Sequence, residues 1–519
     1  MKSKPLFLLF PYLPRLPLFG LGMLAISIAG CAVGPNYTRP ALPLPQAWVA
    51  PLPHQGEVLK LQDWWARWDD PVLLELIDQA ERENSTIAIS AARISQARAA
   101  FTAAQSPLFP SLTGNANESR SRSPSGSGFQ SGGQRGGPLA GGSGGNAGSQ
   151  STSSAAASIT HNRAASIDAA WELDLFGGNR RGREAAAARA EASVFNWHDA
   201  RVSIAAEVAT SYANLRACEI LVSGYVRDAA SRSETARLTD LKTQAGFSAP
   251  ADAALTRASA AEAAARLTSQ RADCDIEIKS LAVLSVMPEP ALREKLKAST
   301  ATFPSVAALT INSVPASTLS QRPDVAASER ELAAASADIG VAEADRYPRI
   351  SLRGSIGYSA VNFGGGDSKG QTWSYGPQLT LPIFDAGKRA ANADSARARY
   401  AEALANYQGL TQRAVREVEQ ALVRINSASE RDADAMAALK GYEAYLAAAN
   451  ARVRAGAGSL VELEEARRLV VASQGVSVGV ERERLTAWIS LYRAMGGGWN
   501  DTATTGPANV AQQTSHNKY

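Results

Sequence analysis

Ala165-Ser-Ile-Asp-Ala-Ala-Trp-Glu-Leu-Asp-Leu-Phe-Gly-Gly-Asn-Arg-Arg181 decides how the rest of the chain is read. A second stretch, Trp373-Ser-Tyr-Gly-Pro-Gln-Leu-Thr-Leu-Pro-Ile-Phe-Asp-Ala-Gly-Lys-Arg389, follows the same plan. Both alternate, then end in Phe, a small-residue turn and a basic pair. In the first, Ile167, Ala169, Trp171, Leu173 and Leu175 fall on one side, and Ser166, Asp168, Ala170, Glu172 and Asp174 on the other. A strand points successive side chains to opposite faces, so one face is greasy and the other hydrophilic. In a water-soluble sandwich the greasy face would meet a second sheet. Here each strand runs on into tens of residues of helical pattern. The apolar medium that remains is lipid, with a wet lumen behind the strand.

Two shorter stretches alternate in the same way. Leu112–Glu118 sets Leu112, Gly114 and Ala116 against Thr113, Asn115 and Asn117. Ile350–Ser359 sets Ile350, Leu352, Ile356 and Tyr358 against Ser351, Arg353, Ser355 and Ser359. Ser119–His161 is dominated by Gly and Ser and reads as a flexible loop on the external side. Asn362–Gly370 reads as its short Gly-rich counterpart.

Helical patterns occupy most of what is left. One begins near Pro71 and runs to Ser106, with a break and a new cap at Asn84-Ser85. Gly177 to about Ala245 is nearly uninterrupted and, at ~1.5 Å per residue, extends on the order of 100 Å. Too polar for lipid, it runs through water. Gly246-Phe-Ser-Ala-Pro250 turns the chain, and a returning helix ends near Val286, before Met287-Pro-Glu-Pro290. The second half repeats the plan. A helix runs from Arg322-Pro-Asp324 to Tyr347-Pro348, another from Ala386 to about Ala455, and Ser459–Met495 returns after Gly456-Ala-Gly458. Pro110 corresponds to Pro348 and Phe176 to Phe384, the Gly-Ser loop accounting for the difference in spacing, so the chain is internally duplicated.

The 519 residues and net charge of +4 permit several domains and give little support to nucleic-acid binding, since Lys and Arg are spread along helices and matched by acids. At the N-terminus, Lys2, Lys4 and Arg15 precede the apolar run Leu16–Ala29, a signal-peptide layout too short to span as a mature helix. It ends Ile28-Ala-Gly-Cys31, which resembles the lipobox of bacterial lipoproteins. That resemblance implies cleavage before Cys31 and acylation of its thiol and new amine. Ala32, not Asp, follows, so no inner-membrane retention signal of the common kind is present. The alternative is an ordinary signal peptide with an incidental Cys. The chain thus divides into a signal peptide (1–30), a Pro- and Trp-rich extended arm (31–70), a first repeat (71–290), a connector (291–321), a second repeat (322–498) and a disordered tail (499–519).

Cys218 and Cys274 each lie 28 positions from Gly246. In an antiparallel helical hairpin equal distances from the turn mean equal height, and the periplasm permits disulfides. A Cys218–Cys274 bridge is expected, with two buried free thiols as the alternative, because height alone does not fix Cβ geometry.

One chain supplies four strands of roughly ten residues, the length that crosses a bilayer when tilted. Four strands cannot close, and an open edge in lipid leaves unpaired backbone groups costing several kcal/mol each. Two copies would give an eight-stranded barrel filled by side chains. Three give twelve strands and room for a conduit, so a homotrimer is expected. Ala-rich runs such as Ala185–Ala188, Ala260–Ala265 and Ala333–Ala335 let helices pack side by side into a tube.

The pieces resemble the outer-membrane efflux lipoproteins of tripartite drug pumps, the OprM/NodT branch of the TolC-like channels. The residues that carry this are Cys31-Ala-Val-Gly-Pro-Asn-Tyr37, Trp64-Trp65, Arg322-Pro-Asp324, Tyr347-Pro348, Phe384-Asp-Ala-Gly387 and the turn Gly456–Glu465. The chain departs from the pattern in its long Gly-Ser loop. The resemblance implies a mainly α fold with transmembrane β: a trimeric 12-strand β-barrel continuous with a long periplasmic α-helical barrel, and a belt of mixed structure. It also implies docking to a periplasmic adaptor and an inner-membrane, proton-driven transporter, with outer-membrane lipid around the strands. In the family the helix tips close the periplasmic end, and acidic residues beside the second turn line it. Here Ser459-Leu-Val-Glu462-Leu-Glu-Glu465 holds that place. Glu462 and Glu465, spaced i, i+3, would form two carboxylate rings in a trimer, with Asp252 at the repeat-related position. Glu462 also fits a capping box with Ser459, and Glu465 would be favoured by the helix dipole alone. Gly246, Ser248, Gly456 and Gly458 are the weaker adaptor-contact candidates, since turn chemistry alone accounts for glycines there.

No enzyme site is legible. His54, His161, His198 and His516 have no ligand spacing, so no metal or cofactor is expected. Gly364-Gly-Gly366 and Gly496-Gly-Gly498 fit no phosphate loop. The reading is a passive duct for small-molecule efflux. A protein-secretion duct (type I) on the same fold is the alternative, a stand-alone porin is disfavoured by the helices, and a coiled-coil adhesin by the strands.

Overall fold

The computed structural model describes residues 32–41, 48–50, 64–123, 158–304, 322–363 and 366–497. The signal segment, Cys31, the core of the Gly-Ser stretch, residues 305–321 of the connector and the C-terminal tail lie outside the described residues, and with them His54 and His516. The helices and strands are α1 Pro71–Glu83, α2 Ser85–Gln105, β1 Ser111–Ser123, β2 Ser158–Leu173, α3 Gly178–Gln244, α4 Pro250–Ser285, α5 Glu289–Leu296, α6 Pro323–Ala344, β3 Arg349–Phe363, β4 Gly366–Thr380, α7 Lys388–Arg454 and α8 Leu460–Ala494. Two compact units cut across the repeats. The first joins residues up to Pro35 with Thr102–Arg183 and Asp338–Ser395; the second holds Asn36–Phe101, Glu184–Ala337 and everything from Ala396 on.

The first unit is a four-stranded antiparallel sheet in the order β1-β2-β3-β4, which leaves β1 and β4 as its edges. Pairing runs Leu112↔Ala169, Trp171↔Leu352 and Ile350↔Leu379. The strands exceed the alternating stretches. Ser119–Ser123 and Ser158–His161, expected in the Gly-Ser loop, continue the β1–β2 ladder to Ser123↔Ser158. The loop expected over Asn362–Gly370 is strand as far as Phe363↔Gly366. Composition misled here because a ladder extends through backbone groups that every non-proline residue carries.

The second unit is helical. Asn84 makes the expected break, its Oδ1 accepting from the Thr86 amide at 2.9 Å. Asp70 caps α1 through the Val72 and Leu73 amides, with Pro71 at the first helical position. α3 and α7 each run 67 residues, supported by Ala-rich faces that put side chains of little entropy cost at the contacts. Both end in Schellman turns. Gly246 N–H reaches Thr243 O and Phe247 N–H reaches Lys242 O; Gly456 and Ala457 repeat this on Val453 and Arg452. Gly246 (φ +81°) and Gly456 (φ +74°) sit in the left-handed region, where a Cβ is disfavoured. α5 was not expected. It crosses the boundary placed at 290, and its short amphipathic turn buries Leu292 and Leu296.

Cys218 of α3 and Cys274 of α4 form a disulfide with Cα atoms 5.6 Å apart. Nearby, Tyr212 Oη donates to Asp70 Oδ2 at 2.6 Å, and the fully buried Arg216 reaches Tyr212 Oη, Leu296 O, Ser299 Oγ and Glu219. The arm docks on this body. Trp64 packs on Trp488 and Tyr492, Trp65 lies 4.7 Å from Tyr492, and the amides of Val49 and Ala50 donate to Glu419.

Candidate functional site: a two-faced sheet and the hairpin tips

Over the half of the strands nearer the helices, register sorts the sheet into two faces. Leu112, Ile167, Trp171, Leu352, Ile356, Tyr358, Trp373, Tyr375 and Leu379 share one face, and all are exposed in the single chain. Trp373 and Tyr375 stack at 5.8 Å along it. The other face carries Asn115, Ser166, Asp168, Ser351, Arg353, Ser355 and Gln378. There Asn115 Nδ2 and Ser166 Oγ both donate to Asp168. An apolar face this large, left uncovered, is a liability in water and a requirement in lipid.

At the helical end of the sheet the N-terminal segment is held in place. Val33 N–H donates to Phe176 O at 3.0 Å, and Arg181 reaches Val33 O and Gly34 O. A Cβ on Gly34 (φ +90°) would lie 2.4 Å from the Gly340 Cα, and Ala32 touches Gly177, so Gly is required at the crossing. Phe176 stacks on Tyr347 at 4.6 Å. Ala32, the neighbour of Cys31, is thereby fixed beside Phe176 and Gly177, in the link between β2 and α3.

The tip residues are each engaged within their own hairpin. Ser248 Oγ donates to Asp252 Oδ2 at 3.0 Å, so these two candidates meet. Ser459 Oγ accepts from the Val461 amide at 3.1 Å as the N-cap of α8. Glu462 pairs with Arg452 on the facing end of α7. Glu465 pairs with Arg468 at 2.6 Å, and that guanidinium holds its carboxyl below the usual range. Gly456 has open space where a Cβ would be, whereas one on Gly458 would strike the Val453 amide at 2.8 Å. Phe247 protrudes at 85% exposure.

The carboxylate that ties the two hairpins together is Glu464, which sequence reasoning passed over. Its Oε2 accepts from Arg232 Nη1 and from Ser259 Oγ, both at 2.5 Å, and its Oε1 from Arg467 Nη1 at 2.7 Å. Arg232 is also held by Asp228, and Arg467 by Ser231 and Thr235. Arg232, Ser259 and Arg467 are buried. One signal existed: Arg467 falls on the stripe of α8 shared by Leu463 and Ala466, where a charged side chain needs a partner. The Arg322-Pro-Asp324 motif is a similar tie. Arg322 binds Asp324, Glu417 of α7 and the carbonyl of Ala494 that ends α8.

A sheet greasy on one side, polar on the other and unpaired at both edges, fed by helices of 67 residues, belongs to a channel subunit of the outer membrane. Residues 76–285 and 314–497 match the family described as outer membrane efflux protein, and the chain belongs to it. It is 28% identical over 494 residues to the solvent efflux pump outer membrane protein SrpC of Pseudomonas putida, covering 93% of this chain and 98% of that protein. It is 29% identical over 496 residues to the outer membrane protein OprJ of Pseudomonas aeruginosa, covering 94% and 97%. The solved outer-membrane channel OprN superposes with a TM-score of 0.75 at 28% identity, over 90% of this chain and all of that one. The protein is thus an outer-membrane efflux channel with a periplasmic part, a conduit and not an enzyme.

Proposed function

We propose that three copies of this chain form the exit duct of a tripartite pump that expels small molecules. The observation that carries this is the sorted sheet with its free edges β1 and β4. In hydrocarbon those edges need partners, and twelve strands from three copies leave a lumen lined by Asp168, Arg353 and their polar neighbours. A lipid on Cys31 fits the seat of Ala32 against Gly177, which would set the acyl chains level with the end of β2.

The hairpin tips then meet a periplasmic adaptor through the Phe247–Ser248 and Gly456–Gly458 turns, and through it an inner-membrane transporter that selects the cargo. Solvents and antibiotics are the class suggested by the names of the relatives SrpC and ArpC. The half-buried carboxylates of Asp252 and Glu462 and the exposed one of Glu465 would form cation-binding rings near the closed end. The Arg232–Glu464–Arg467 network would hold the second hairpin against the first.

Planar-bilayer recording of the purified protein tests the reading. It expects trimers with discrete conductance, and loss of the gene should sensitise the host to organic solvents. A monomeric, silent preparation would sink it.

A further inference from the structure

The strands are longer than a bilayer crossing requires. About ten residues suffice when a strand is tilted, yet β2 has 16 residues and β3 and β4 have 15 each. The excess lies at the end away from the helices. Five residues at ~3.4 Å, tilted by ~40°, rise about 13 Å above the apolar band, through the headgroup zone.

The outward face changes character over that rise. Below it, the face carries Ile167, Ile356, Tyr358 and Trp373. Above Tyr358 the same face presents one row of Glu118, Arg163, Ala360 and Lys369, a second of Arg120, His161, Asn362 and Asp367, then Arg122 beside Ile159. Four cations stand against two carboxylates. Arg120, Arg122, Arg163 and Lys369 are all exposed. Among the described residues, Arg163 is the one of these cations that an ion pair engages, with Glu118 at 2.8 Å. If β4 of one copy meets β1 of the next, Lys369 comes to the same seam as Arg120 and Arg122.

We propose that this end of the outward face holds the phosphate-bearing headgroup of a glycolipid in the external leaflet. The observations require an occupant with two parts: acyl chains against Trp373 and Ile356, and an anion directly above them. A phosphomonoester supplies several acceptor oxygens to guanidinium forks and carries more charge than a carboxylate. A free anion would match only the upper part, and a zwitterionic headgroup would leave the cations uncompensated. The inference rests on the outward assignment of the apolar face made under the proposed function.

The test uses the full-length protein, exchanged from detergent into phosphatidylcholine nanodiscs doped with lipid A or with its dephosphorylated form. Retained lipid is read by native mass spectrometry; trimer content and conductance are measured on the same preparation. Wild type should retain the phosphorylated form preferentially. At roughly fivefold per cation, the combined Arg120→Gln, Arg122→Gln, Lys369→Gln variant should cut that preference at least about tenfold. Arg353→Gln, on the opposite face, should retain lipid as wild type does. An undiminished preference in the triple variant, an equal loss in Arg353→Gln, or displacement of the lipid by millimolar inorganic phosphate would each overturn the site while the wild type still assembles and conducts. A wild type that neither assembles nor conducts overturns the channel reading and this site with it.

Discussion

Glu464 Oε2 lies 2.5 Å from Arg232 Nη1, joining the first turns of α8 to the last quarter of α3. Both side chains are mostly shielded from water, at 14% and 8% exposure, so the pair is not weakened as a surface ion pair would be. Removing the Glu464 carboxylate leaves Arg232 with Asp228 and Ser259, and leaves the buried Arg467 with the hydroxyls of Ser231 and Thr235. Glu464→Gln and Arg467→Ala should therefore raise basal conductance, with a double-mutant coupling of about 1–3 kcal/mol between Arg232 and Glu464 in thermal unfolding. Conductance and unfolding unchanged in all variants would reduce the network to packing.

The exposed carboxylate Glu465 is a separate case. Its pairing with Arg468 leaves it at the surface of α8. Glu465→Ala should raise basal conductance and weaken block by divalent cations applied from the tip side. Identical recordings would assign the residue to helix-dipole complementation.

Tyr212 sits between Asp70 and Arg216, and burial, then the Asp70 hydrogen bond, push its phenol up to about 12. Tyr212→Phe leaves the Asp70 carboxylate short of a donor in a buried place. A loss of about 1–3 kcal/mol is expected, seen as a lowered Tm. Arg216→Met, which removes the cation and leaves the Asp70 and Glu219 carboxylates behind, should cost more than Tyr212→Phe, because Glu219 and two carbonyl or hydroxyl acceptors lose their donor together.

His198 packs edge-on against Trp197, and burial, with Arg201 adding to it, pulls its imidazole down to about 4 from 6.5. The sign follows from linkage. Between pH 4 and 6.5 the unfolded chain binds the proton and the folded one does not, so stability is full above that window and falls as pH drops through it. The slope from this one group is at most about 1.4 kcal/mol per pH unit. His198→Gln should flatten the pH dependence of Tm in that window; an unaltered slope would assign it to other groups.

The Cys218–Cys274 bridge closes a separation of 56 residues. Loop-closure entropy assigns such a crosslink about 4 kcal/mol. Cys218→Ser with Cys274→Ser, or full reduction of wild type, should lower Tm to the same extent, and reduction should leave the double variant unmoved.

Legibility followed periodicity. The inner parts of the strands were visible because Ile167, Trp171 and Leu173 alternate with Asp168 and Glu172, and lipid on one side enforces that alternation. The hairpin turns were visible because Gly246 and Gly456 supply a conformation other residues resist. The strand ends were not. Ser119-Arg-Ser-Arg-Ser123 has the composition of a loop, and only its pairing to β2 makes it a strand. Helix α5 hid between prolines that also suit a connector. At the tips, the i, i+3 spacing of Glu462 and Glu465 drew the eye to the solvent side of α8. Glu464 faces inward, and its partners Arg232 and Ser259 lie more than two hundred residues away, at a distance no local pattern reports.

The equal arms of the first hairpin make it a ruler. One residue gained or lost on α3 alone, between Cys218 and Gly246, would shift the thiol ~1.5 Å along the axis and swing it ~100° around the helix. That is beyond what a bridge with Cα atoms 5.6 Å apart can follow. Insertions and deletions in this arm are therefore tolerated only as matched pairs on both sides of the turn, and the reach of the hairpin can be lengthened or shortened in nature or by engineering only in that double-entry fashion.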